Sequence, residues 1–292
     1  MFFSIFNLFL ALSFSNEIKK RPSLLQDCSK PDGFNDIIDN EGPYENTKLY
    51  ACGQDFTNQI TIKNSILTIK NCNFRDVKLQ DVYGIININI DNFPADLTGN
   101  IEILDTNFKK CDGGCVYFIS TDSSKTIDIT NCKFDSCEAY KGGIAISCQA
   151  SNGKIDNCQF IKNIFTGMSR GGCTVYYAPD SQANNGKLIV TNCKFEHEDR
   201  YDVNSFLQFN RDNIILEFSN NQIQISEISE STNVFKRDNS GIISQFQGWT
   251  LDNNCMKTLR KDIIFEKNEG DLTSITDKFE ECPAMECPPI PD

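Results

Sequence analysis

The chain of 292 residues is short of several things, and each shortage removes a class of function. Histidine occurs once, at His197, so any imidazole-based acid–base or triad chemistry would have to run through that one side chain. No pair of Cys-x-x-Cys motifs is present among the 14 cysteines, which argues against a zinc knuckle. No Asn-x-Ser/Thr sequon occurs, so ordinary N-glycosylation is not expected. Beyond residue 15 no apolar run approaches the roughly 20 residues that span a bilayer. Positive charge is also scarce. Lys and Arg number 28 against 40 Asp and Glu, a net charge of −12, and the basic run Lys19-Lys20-Arg21 is short. That balance disfavours nucleic acid and anionic lipid as partners.

What is present begins with an apolar leader. Residues 2–15 (FFSIFNLFLALSFS) carry no charge and end in Ser13-Phe14-Ser15, a small-x-small pattern that suits signal-peptidase cleavage. The expectation is a signal peptide over 1–15 and a secreted or cell-surface product without a membrane span in the mature chain. An even number of cysteines in an exported chain then predicts disulfides.

The middle of the chain repeats. Asn-Cys-x-Phe occurs at Asn71–Phe74, Asn131–Phe134, Asn157–Phe160 and Asn192–Phe195, with degenerate copies at Asp105–Phe108 and Asn220–Ile223. Each copy follows an alternating apolar pair such as Ile101/Ile103 or Ile127/Ile129; only the copy at Asn157 looks shortened, to Ile155. Glycines trail the copies at Gly113-Gly114, Gly142-Gly143 and Gly171-Gly172, and each pair opens another alternating run. Period-2 alternation broken by Asn and Gly rules out helical repeats, and units near 26 residues are too small for propeller blades. The reading is an all-β, right-handed parallel β-helix, the usual hand of parallel crossovers. Its coils stack about 4.8 Å apart.

In such a solenoid equivalent residues form ladders. Asn71, Asn131, Asn157 and Asn192 are expected at one bend as an amide ladder, and Phe74, Phe108, Phe134, Phe160 and Phe195 as an internal aromatic stack. Gly113, Gly114, Gly142, Gly143, Gly171 and Gly172 are expected at corners that need positive φ or close backbone approach. Residues 16–59 read as an N-terminal cap, 60–254 as coils, and 255–292 as a C-terminal cap with an extended Pro/Cys tail. Candidate disulfides are Cys111–Cys137 on neighbouring rungs, and Cys28–Cys52 and Cys282–Cys287 by proximity. His197, within Glu196-His197-Glu198-Asp199-Arg200, is expected in a solvated loop.

The repeat also resembles a known one. Phe134-Asp135-Ser136-Cys137 with Gly142-Gly143-Ile144, and Phe160-Ile161-Lys162-Asn163 with Gly171-Gly172-Cys173, look like the repeat of polymorphic outer-membrane-protein-type β-helix proteins. The resemblance covers roughly residues 60–250. It implies the pectin-lyase-like superfamily fold and a surface or secreted passenger with adhesive roles. Phe195 lacks the trailing Asn and Phe74 leads to Val77, so those copies depart from the pattern.

No catalytic, cofactor-binding or metal residue is assigned. The leading expectation is a non-enzymatic adhesin-like or structural interaction module, with surface proteins or glycans as partners and no nucleic acid. The alternatives are a non-catalytic carbohydrate-binding module, and a polysaccharide lyase or glycoside hydrolase. An enzyme of the latter kind would use Asp199-Arg200-Tyr201-Asp202 with Arg211-Asp212. It would need two carboxylates facing one cleft, and the paired aspartates and Gly-His-Gly segment of polygalacturonases are absent.

Overall fold

The computed structural model describes residues 28–39, 41–79, 84–91, 94, 97–122, 124–140, 143–150, 152–166, 172–179, 186–197, 205–210, 214–225, 233–237, 248–257, 264 and 277–282. The expected leader, Gly142, Gly171, Cys287 and the Asp199–Asp202 and Arg211-Asp212 segments lie outside them. Among the described residues no helix is long and apolar enough to cross a membrane.

The described strands form three long parallel sheets and a two-stranded one. One central turn shows how they are built. Val116–Ser120 lies in the second sheet, Thr126–Thr130 in the first and Lys133–Asp135 in the third, after which Gly143–Gln149 returns to the second sheet one coil on. Among the described residues every pairing between strands of neighbouring coils is parallel, for instance Ile103 with Ile129 and Phe108 with Phe134. The fold is therefore a parallel β-helix, in which the alternating residues of three short strands per turn point into one continuous core.

The inward slots explain the alternation. In the first sheet Leu49, Leu67, Ile101 and Ile127 stand one above another, and Ala51, Ile69, Ile103, Ile129, Ile155 and Val190 form the next row, all buried. Asn152–Asp156 is not shortened, as its sequence suggested. It is a full strand in which Gly153 takes the slot between Ile127 and Leu188. A Cβ there would lie 3.2 Å from Leu188 Cδ1 and 3.5 Å from Cys148 Sγ, so neighbouring side chains already fill the space.

Coil pairing runs past both expected limits of the solenoid. Tyr44–Glu45, Lys48–Cys52 and Asp55–Phe56, within the expected N-terminal cap, pair in register with the following coil. At the other end Asn254–Met256 pairs with Phe279–Glu281.

The aromatic column starts one coil earlier than the repeat motif. Phe56, Phe74, Phe108, Phe134, Phe160 and Phe195 stack at centroid separations of 4.8–5.1 Å with interplanar angles of 14° or less. Beyond Phe195 the slot holds Ile223, and the rings of Phe206, Phe218, Phe235 and Trp249 meet at steeper angles instead.

The bridged cysteines sit near the two ends. Cys28 is joined to Cys52, and Cys255 to Cys282. Two expectations are thereby corrected. Cys282 does not pair with Cys287, because the strand Phe279–Glu281 lays the chain back along Asn254–Met256 and delivers Cys282 to Cys255. Cys111 and Cys137 are free thiols. They occupy equivalent slots on adjacent rungs, where the Cα–Cβ bonds run parallel and keep the Cβ atoms about one interstrand spacing apart, wider than a disulfide prefers.

Candidate functional site

Two corners of each coil are built alike. At the first, between the first and third sheets, the leading residue takes a left-handed conformation: Asn71, Asp105, Asn131, Asn157, Asn192, Asn220 and Asn253 have φ between 49° and 57°. Asn and Asp tolerate this region best among non-glycine residues. Part of the column is also an amide ladder: Asn157 Nδ2 donates to Asn131 Oδ1 (2.7 Å) and Asn131 Nδ2 to Asp105 Oδ1 (2.9 Å). Asn192 leaves the ladder and donates to Asp156 Oδ1 (2.8 Å). The second corner, after four consecutive strands of the third sheet from Asn73–Arg75 to Gln159–Ile161, is led by Asp76, Lys110, Ser136 and Lys162, also at positive φ.

The residue after each left-handed position is buried and plugs the corner. At the first corner these are Cys72, Thr106, Cys132, Cys158, Cys193, Asn221 and Asn254. Their backbone N–H groups turn to the side chain one coil on: Cys158 N donates to Cys193 Sγ (3.4 Å), Cys193 N to Asn221 Oδ1 (2.9 Å) and Asn221 N to Asn254 Oδ1 (3.0 Å). From Cys132 onward each side chain also reaches back to a carbonyl of the preceding coil, for instance Cys158 Sγ to Ile129 O (3.4 Å) and Asn221 Nδ2 to Val190 O (3.0 Å). The second corner repeats the device. Cys137 N donates to Asn163 Oδ1 (3.0 Å), Asn163 Nδ2 to Phe134 O (3.2 Å), and Cys111 Sγ lies 3.4 Å from Phe74 O.

The thiols are thus small donors and acceptors that Thr or Asn replaces elsewhere in the same columns. Burial pushes the thiols of Cys115, Cys132, Cys137 and Cys193 well above the ordinary range and that of Cys148 up to about 12. These raised thiols are poor nucleophiles and poor ligands, whereas hydrogen bonds from Cys115 and Cys137 lower Cys111 to about 4 and, against burial, those from Cys132 and Cys193 lower Cys158. Among the described residues no group of three or more His, Cys, Asp or Glu could hold a metal ion.

The expected glycine corners divide by cause. Gly113 (φ 104°) and Gly114 (φ 80°) are left-handed. Gly143 and Gly172 are there because of crowding. A Cβ on Gly143 would lie on Ile146 O, at the bulge where Gly143 pairs with Cys173 and Ile146 with Val175. A Cβ on Gly172 would collide with the Phe165 ring.

His197 is not in a solvated loop. It ends the strand Lys194–His197, is 3 % exposed, and meets Phe206 edge-on at 6.5 Å. Alternation explains it: Phe195 and His197 face inward and Glu196 outward, where it pairs with Lys194 at 2.8 Å.

The outward residues make three flanks of different chemistry. On the first sheet Glu102, Asp128, Lys154 and Glu217 share rows, and Lys154 lies 3.5 Å from Asp128 and 3.8 Å from Asp156. On the third sheet Asp55, Lys133, Asp135, Lys194 and Glu196 face out, with Lys133 3.7 Å from Asp135. The second sheet differs. One outward row is Thr61, Asn87, Tyr117, Ser147, Tyr176, Gln208 and Lys236, and the next is Lys63, Asn89, Ile119 and Gln149. Among the described outward positions of these strands Glu45 is the single carboxylate, 3.6 Å from Lys63. This flank is part-exposed through Asn87, Tyr117 and Gln149 and covered toward Gln208 and Lys236.

No protein-family model, no curated protein and no solved structure matches the chain.

Proposed function

We propose that the chain is a secreted or cell-surface, non-enzymatic β-helix protein that acts as an adhesin-like or structural interaction module. On this reading its repeat resembles that of the polymorphic outer-membrane-protein-like β-helices of the pectin-lyase-like type. The observation that carries the reading is the second-sheet flank. In a chain of net charge −12, it is a row of amides, hydroxyls and tyrosines almost free of carboxylate. A face of regularly spaced hydrogen-bonding groups that is poor in carboxylate suits recognition, whereas glycoside hydrolysis needs paired carboxylates over one cleft. The partners on this reading are surface proteins or glycans.

The test pairs binding with turnover. The purified protein is applied to protein and glycan arrays, while reducing sugar and unsaturated products are followed on acidic polysaccharides. Binding without product is expected. Product formation overturns the reading.

A further inference from the structure

We infer that the second-sheet flank holds a binding site for a neutral sugar ring, centred on Ser147 between Tyr117 and Tyr176; this rests on the reading of the chain as a binding module. Ser147 stands in register with Tyr117 on one side and Tyr176 on the other. It faces away from the core, alternating with inward Ile146 and Cys148. The two tyrosines therefore flank Ser147 about 9–10 Å apart, one interstrand spacing to either side. Ser147 is only 4 % exposed, yet its hydroxyl has no hydrogen-bond partner. One row over, Asn89 Oδ1 is likewise without one. Beside them Gln149 Nε2 donates to the Tyr117 hydroxyl at 3.1 Å.

A buried hydroxyl without a partner is unfavourable and is satisfied when a ligand hydroxyl reaches it. The occupant's chemistry follows from the lining. Tyrosine faces accept the C–H face of a sugar ring, and Ser147, Asn89 and Gln149 offer partners for its hydroxyls. A six-membered ring is close to one interstrand spacing across, about 5 Å. A cationic ligand finds no carboxylate in these rows beyond Glu45, and Lys63, the charged side chain at the open end, already faces Glu45 at 3.6 Å. An extended peptide has no strand edge to join, because the strands Val116–Ser120, Gly143–Gln149 and Cys173–Tyr177 are each paired on both sides. A neutral oligosaccharide remains.

The test is calorimetric titration of the full chain with neutral hexasaccharides of glucose, mannose, galactose and N-acetylglucosamine. At least one is expected to bind. Tyr117→Ala and Ser147→Val are expected to weaken it tenfold or more, and Lys133→Ala on the third flank to leave it unchanged. Ser147→Val puts a good strand former at that position, so its melting temperature should match wild type and separate lost binding from lost fold. If none of the hexasaccharides binds, or if both second-flank variants bind like wild type, the sugar site is wrong. Protein-array binding that persists without turnover in that case leaves the module reading standing, whereas turnover removes it.

Discussion

At the scale of single residues, the recurring cysteines are explained by two unmet backbone groups at each corner. Where the chain turns out of the first sheet, an N–H and a carbonyl lose their ladder partners, and a small side chain from the adjoining coil restores them. Cys, Thr and Asn share the slot because each can donate and accept. The slot therefore predicts its own tolerance. Cys193→Thr should lie within about 1 kcal/mol of wild type, while Cys193→Val leaves the Cys158 N–H without its acceptor and should cost about 1–3 kcal/mol, read from urea denaturation. The Asn-Cys string was visible in the sequence, but its reason was not, because the partners lie a whole coil away. Thr106, Asn221 and Asn254 share the slot with Cys158, and only superposing the coils reveals it. Gly53 shows the same limit. It takes the left-handed corner position (φ 66°) that Asn takes later, so the coil ending in Phe56 carried no Asn-Cys signature and read as cap.

At the scale of elements, the third sheet is organised by its aromatic column and the entry to the solenoid by one carboxylate. Phe134 is fully buried, with Phe108 at 4.8 Å and Phe160 at 5.1 Å. Phe134→Ala removes a ring from the middle of the column and should cost roughly 3–5 kcal/mol, seen as a lowered denaturation midpoint with an unchanged slope. Asp39 accepts hydrogen bonds from the backbone N–H groups of Thr57 and Asn58 and from both their side chains. Burial pushes its carboxyl up, but these donors outweigh burial and leave it below the ordinary 3.8. A depressed carboxyl stabilises the fold above its unfolded value and loses that contribution as pH falls through the folded value. Wild type should therefore lose more stability than Asp39→Asn between pH 5 and pH 2.5, and parallel curves would refute the assignment. Strands were legible wherever apolar residues alternated. His197 was misread because its charged neighbours signal solvent locally, although the alternation from Phe195 runs straight through it.

At the scale of the whole molecule, stacking turns a weak sequence repeat into three flanks whose surfaces can be compared. The parallel β-helix could be foreseen because each coil repeats its corner. The chemistry of the flanks could not, since Tyr117, Ser147 and Tyr176 are spread over 60 residues and become neighbours only in register. The net charge of −12 also concealed that, among the outward positions of the described strands, the acids lie on the first and third sheets while the second sheet carries Glu45 alone. The account rests on that asymmetry. The most direct measurement is array binding by two charge-insertion variants, Asn87→Glu with Tyr117→Glu on the second sheet and Thr68→Glu with Thr130→Glu on the first. Loss of binding in the second-sheet variant alone, with both proteins melting like wild type, is the predicted result. Equal binding by the two variants, or loss confined to the first-sheet variant, would contradict it.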